Sequence, residues 1–102
     1  MKSLSDVKFL VLTELMQGVR SGREIREELE KQSAKKSLAA FYQIMARMED
    51  EGMIRGWYET KRIDDQTVKS RHYEILGSGR VAWEKQMELF NTAASKIKWG
   101  IA

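Results

Sequence analysis

Residues 37–52, SLAAFYQIMARMEDEG, constrain this chain more than any other stretch. They carry a helix start and a helix stop. Ser37 precedes an apolar-periodic run, where a hydroxyl accepts a hydrogen bond from a free first-turn N–H. Gly52 stands where a helix ends on a left-handed residue. Between them Leu38, Phe41, Met45 and Met48 recur at helical spacing, with Ile44 beside them, so this face is expected to be buried. The opposite face carries Ala39, Ala40, Gln43, Arg47 and Asp50. MIRGWYE follows at once and reads as a strand. A capped amphipathic helix running straight into a strand fits few small architectures.

Upstream, residues 4–16 are expected to form a helix with Leu4, Val7, Val11 and Leu15 as its main stripe. Phe9, Leu10, Leu12 and Met16 spread apolar surface around it, so it is covered on more than one side. Residues 17–22, QGVRSG, read as a turn. Ser21 caps the next helix, and Glu24 has capping-box spacing from it. That helix runs to about Lys31 with Ile25 and Leu29 inward and Arg23 and Arg26 in water. A short connector to Ser37 completes a helix-turn-helix layout.

Downstream, residues 53–60 and 68–76 are expected as antiparallel strands joined by a charged loop, 61–67. The last helix is expected from about Gly79 to Trp99. In it Trp83, Met87, Phe90, Ala94, Ile97 and Ile101 follow 4-3-4-3-4 spacing, the seam of helices packed side by side. The seam is expected to pack on a second subunit, on the first helix, or on both. The whole reads as α+β, mostly α: a winged helix-turn-helix over 1–77 with a C-terminal dimerisation helix over 78–102.

A chain of 102 residues fits one domain, and 42% hydrophobic with 32% charged residues is the balance of a folded one. The absence of Cys excludes disulfides and thiolate chemistry and fits a reducing compartment. The N-terminal apolar run is broken by Thr13 and Glu14, so neither a leader nor a membrane span is expected, and a cytoplasmic location is. His72 is the only His, so no metal site or other cofactor is expected. The neighbouring carboxylates Glu49–Asp50–Glu51 and Asp64–Asp65 do not converge on one substrate atom, and no phosphate loop or Ser/His/Asp set is present. An enzyme is not expected.

The net charge is +3. Residues 1–52 carry nine basic and nine acidic side chains, so the excess lies in the second half. If double-stranded DNA is the partner, Gln43 and Arg47 suit adenine and guanine edges in the major groove, with Ala40 on the same face. Their competing role is to solvate an exposed helix. Lys35, Lys36 and Ser37 either hold a phosphate at the helix N-terminus or form a plain solvated turn. Lys61, Arg62, Lys69 and Arg71 would lay the hairpin on the phosphates or the minor groove, and Asp64 and Asp65 oppose this.

Three segments resemble the PadR-type transcriptional regulators. Residues 9–29, FLVLTELMQGVRSGREIREEL, are similar to that family's opening helix, Gly-containing turn and second helix start. Phe41–Tyr42 through Arg47–Met48–Glu49–Asp50–Glu51–Gly52–Met53–Ile54 resembles its Leu-Tyr…Arg-Leu-Glu-Glu-Glu-Gly-Leu-Ile run. RHYEILGSGR, 71–80, resembles the wing's second strand and the glycine before the last helix. The chain departs from the family at Arg23, at Ser37–Leu38–Ala39–Ala40 in place of a Ser-Pro-Gly-Thr-like helix start, and at the acidic wing tip. The resemblance implies a homodimer built on the last helix, DNA binding by the central helix and wing, and repression of nearby genes. It places Tyr42 near the DNA backbone; the apolar stripe equally allows Tyr42 a core role. It also implies a small aromatic or hydrophobic effector between subunits, for which Trp83 and Phe90 would line a slot, unless they simply pack the dimer. A different class stays open: a winged-helix interaction or dimerisation module that does not read DNA sequence.

Overall fold

The computed structural model describes residues 4–97. Its elements are α1 (Asp6–Leu15), β1 (Arg20–Ser21), α2 (Gly22–Lys31), α3 (Leu38–Asp50), β2 (Ile54–Ile63), β3 (Gln66–Ile75) and α4 (Gly77–Ser95). The strands form one antiparallel sheet in the order β1-β3-β2. Trp99 and Ile101 lie outside the described residues.

Local chemistry sets the helix ends. Ser5, Ser21 and Ser37 each sit in extended backbone and accept a hydrogen bond from the N–H three residues on. At Ser21 the capping box is closed: Glu24 accepts the Ser21 N–H at 3.0 Å while Ser21 Oγ accepts the Glu24 N–H at 3.1 Å. α3 ends on Gly52 at φ +75°, with the Met53 N–H reaching back to the Met48 carbonyl at 3.0 Å.

The core gathers Val11, Leu12 and Leu15 of α1, Ile25 and Leu29 of α2, Phe41, Met45 and Met48 of α3, Ile54 of β2 and Tyr73 of β3. Leu38, expected in that buried stripe, is instead 54% exposed. Its angular position follows the stripe, but it lies in the first turn, where α3 projects beyond the edge of the core.

The expected turn at 17–22 holds a short strand, with Arg20 opposite Tyr73 and Ser21 opposite His72. The capping box already requires Ser21 to be extended, with φ −76° and ψ 158°, and this geometry suits pairing. The expected seven-residue wing loop is also corrected. β2 and β3 run on until Ile63 faces Gln66, leaving Asp64 and Asp65 as a two-residue turn with φ +49° and +61°. Two positive φ values are the signature of a type I′ hairpin, and Asp tolerates them better than most residues.

α4 starts two residues earlier than expected and is described as helix to Ser95. Its beginning is locked to the end of α3. Leu76 N–H donates to the Met53 carbonyl and Ser78 Oγ donates to the Gly52 carbonyl, both at 2.9 Å. A Cβ on Gly79 would collide with the Met53 carbonyl oxygen, so only glycine permits this approach. Farther along, Trp83 stacks on Phe9 and donates Nε1–H to Thr13 Oγ1 at 2.9 Å, while Phe90 meets Phe9 edge-on. Gly79 is the only buried residue among the nineteen of α4. The molecule measures 64 × 29 × 23 Å with a radius of gyration of 16.3 Å. A compact domain of this length would have about 13 Å.

Candidate nucleic-acid interface

The outward face of α3 is made of two strips at i, i+4 spacing. One holds Leu38, Tyr42 and Ala46; the other holds Ala39, Gln43 and Arg47; all six are exposed. Ala40, expected on this face, is half-buried. Tyr42 is 37% exposed and packs its ring edge on Phe41, so it has a foot in both expected roles. Arg47 makes no ion pair among the described residues and shares a hollow with Ser5 and Lys8 at the start of α1.

At the N-terminus of α3, Ser37 Oγ is engaged by the Ala40 N–H at 3.2 Å. Lys35 approaches Glu30 at 3.8 Å, and Lys36 makes no ion pair among the described residues. Both lysines border a small hollow with Arg26, whose buried Nε lacks a hydrogen-bond partner.

A groove of about 790 Å³ separates the start of α2 and the flank of α3 from the wing. Arg23, Arg26, Lys61, Lys69 and Arg71 line it, against Glu24 and Glu49. Arg23 and Arg26 read from sequence as ordinary solvated positions; only the return of β3 alongside β1 brings them opposite the wing. Arg62 does not line the groove.

Arg71 takes a different part from its three companions on the hairpin. Its Nη2 donates to Glu49 Oε1 at 2.9 Å, and the same oxygen accepts the Gly56 N–H at 3.0 Å. The guanidinium lies over the rings of Tyr58, at 4.7 Å, and Tyr73, at 5.7 Å. Burial alone would lower its pKa, but hydrogen bonds with Tyr73 and Glu49 more than offset that and raise it. Burial acts the other way on an acid and raises the pKa of the Tyr73 phenol. Arg71 is thus tied to the protein's own groups at the groove wall, clamping the C-terminal turn of α3 to the wing. Lys69 lies 5.7 Å from the Tyr58 ring centre, and Lys61 and Arg62 make no ion pair among the described residues.

His72 is engaged structurally, with Nε2 3.5 Å from Glu59 and the ring stacked on Trp57. Among the described residues no group of three His, Cys, Asp or Glu is placed to hold a metal ion, and no helix is long and apolar enough to cross a membrane.

Three packed helices, an antiparallel hairpin after α3 and an outward α3 face define a winged helix-turn-helix. Solved structures with this fold include PadR-family regulators. A PadR-family transcription regulator from hypervirulent Clostridium difficile superposes with a TM-score of 0.76 at 16% identity, covering 89% of this chain and 93% of that one. A transcriptional regulator from Clostridium thermocellum gives 0.69 at 19%, covering 97% and 99%. Bacillus subtilis PadR, solved in complex with operator DNA, gives 0.67 at 19%, covering 85% of this chain and 49% of that one. At such identities the likeness is one of fold. No family model matches the sequence, and no curated protein matches it significantly.

Proposed function

We propose that this protein is a PadR-type transcriptional regulator that binds duplex DNA as a homodimer and acts as a repressor in the cytoplasm. The observation that carries this reading is the exposed face of α3 beside a groove rimmed by Arg23, Arg26, Lys61 and Lys69. Gln43 and Arg47 reach base edges in the major groove, with Tyr42 at the margin. Lys35 and Lys36 meet phosphate at the start of α3, while Lys61, Arg62 and Lys69 meet it from the wing. Arg71 holds the two parts together. The likeness to a regulator solved on operator DNA supports the same assignment.

The second subunit covers α4. A nineteen-residue helix with one buried residue, with Val81, Leu89 and Phe90 exposed on it and Ile97 exposed just past its end, has apolar surface to spare. Pairing through α4 sets two half-sites about one DNA turn, ~34 Å, apart. A small aromatic or hydrophobic effector would lie between subunits on the surface of Trp83 and Phe90 that Phe9 leaves open.

Selection from random duplexes at low salt tests the reading. Enrichment of a two-part site, with binding weakened at least tenfold by Arg47→Ala, is expected; failure to enrich any sequence would overturn it. The acidic turn at Asp64–Asp65 favours a second reading, an interaction module without DNA binding. Log affinity for bulk duplex falls steeply with log salt when several phosphates are neutralised. No binding even at low salt would establish the module instead.

A further inference from the structure

The first turn of α3 presents almost no hydrogen-bonding side chain to a base. Leu38 and Ala39 are exposed, Ala40 is half-buried, and the Ser37 hydroxyl is occupied by the Ala40 N–H. Yet in a helix-turn-helix the N-terminal residues of the second helix are the ones that meet base edges. Leu38 is 54% exposed and stands apart from the residues packed on the core. It heads the apolar strip that continues one turn on with Tyr42, 37% exposed, and then Ala46. A Leu at this place gains from contact only with another apolar group. Among the four bases, only thymine offers one in the major groove, its 5-methyl.

We propose that Leu38 is a specificity-determining residue that reads thymine by apolar contact with the 5-methyl group, with Ala39 and Tyr42 closing the contact from either side. The inference rests on the DNA-reading assignment above. It divides the reading surface by chemistry: the apolar strip reads methyl groups, and Gln43 and Arg47 read hydrogen-bonding edges.

The test replaces thymine by deoxyuridine, which removes the methyl and leaves the pairing edge unchanged. Duplexes selected by the wild-type protein are substituted one position at a time. At one or two thymines in each half-site, affinity should fall about fourfold, the size expected for one buried methyl. Leu38→Ala should bind the thymine and deoxyuridine duplexes equally, at the weakened level. Because Leu38 is outside the core, this variant should melt with the wild type, and a thermal scan checks that. A wild-type protein indifferent to every substitution would overturn the thymine contact while leaving DNA reading intact. A Leu38→Ala variant that still distinguishes the two bases would assign the contact to another residue. Failure to select any sequence would overturn both the contact and the assignment beneath it.

Discussion

Glu49 is the carboxylate on which the proposed reading surface depends, and it does not lie on the exposed face of α3. One of its oxygens holds both the Gly56 N–H and Arg71, so the last turn of α3 and the first part of the wing share a partner. Gly56 makes this possible: a Cβ there would stand 2.7 Å from Glu49 Oε1 and 2.9 Å from Arg71 Nη2. Gly56→Ala should therefore cost about 2 kcal/mol in urea denaturation, by displacing the pair or forcing the strand away. Glu49→Gln keeps an oxygen for Gly56 and removes the charge facing Arg71. It should weaken DNA binding while leaving the salt slope unchanged, whereas Lys69→Ala should flatten the slope by losing a phosphate contact. An equal flattening in both variants would show that Glu49 does not act through position. Glu24 gives a pH test. The backbone N–H of Ser21 is the chief cause that draws its pKa below the ordinary 4.5. A group with a lowered folded-state pKa stabilises above its unfolded value and loses that contribution as pH falls through the folded one. The gap in melting temperature between wild type and Glu24→Gln, which keeps an acceptor for the Ser21 N–H but not the charge, should be full at neutral pH and shrink below about 4.5.

Among the elements, the hairpin separates conformation from charge. Asp64 and Asp65 fit the type I′ turn, yet place two negative charges where phosphate is expected. Asn-Gly fits the same turn without charge. The double variant Asp64→Asn, Asp65→Gly should keep or slightly raise the melting temperature and tighten binding to bulk duplex at low salt. Unchanged affinity would show that the tip stays away from the DNA. The hairpin also shows what sequence reasoning reaches. The caps at Ser21, Ser37 and Gly52 could be read directly, because each is satisfied within three or four residues of itself. The turn could not: KRIDDQT has the charge of a loop, and its strand character comes from cross-strand pairing rather than from its own propensities. Leu38 departs from the sequence pattern for a related reason, since periodicity gives a direction around a helix but not where the core ends along it. The partner of Arg71 was hidden because Glu49 lies 22 positions away in sequence. Arg23 and Arg26 carried no local mark of the groove they border.

At the level of the whole molecule, α4 is the element with the most uncovered apolar surface, with Val81, Leu89 and Phe90 exposed. Phe90 is 44% exposed in the single chain, so a charge there costs little unless a second subunit closes over it. Phe90→Glu should turn a dimer into a folded monomer by light scattering, because the dimer would bury an unpaired carboxylate. A wild-type chain that is monomeric at micromolar concentration would refute the pairing. The joint at Gly52 and Met53 gives this arrangement a mechanical meaning. The carbonyls of Gly52 and Met53, just past the end of α3, are the acceptors for the start of α4, and Gly79 leaves no slack between them. α4 is therefore a lever arm whose short end carries α3, the helix proposed to read DNA. Its nineteen residues span about 28 Å at 1.5 Å per residue. With the far end held in a dimer, a tilt of ~10° over that length displaces the reading helix by about 5 Å, more than the ~3.4 Å between stacked base pairs. Small changes in how two such arms cross would be enough to bring the paired reading helices into or out of step with the DNA helix.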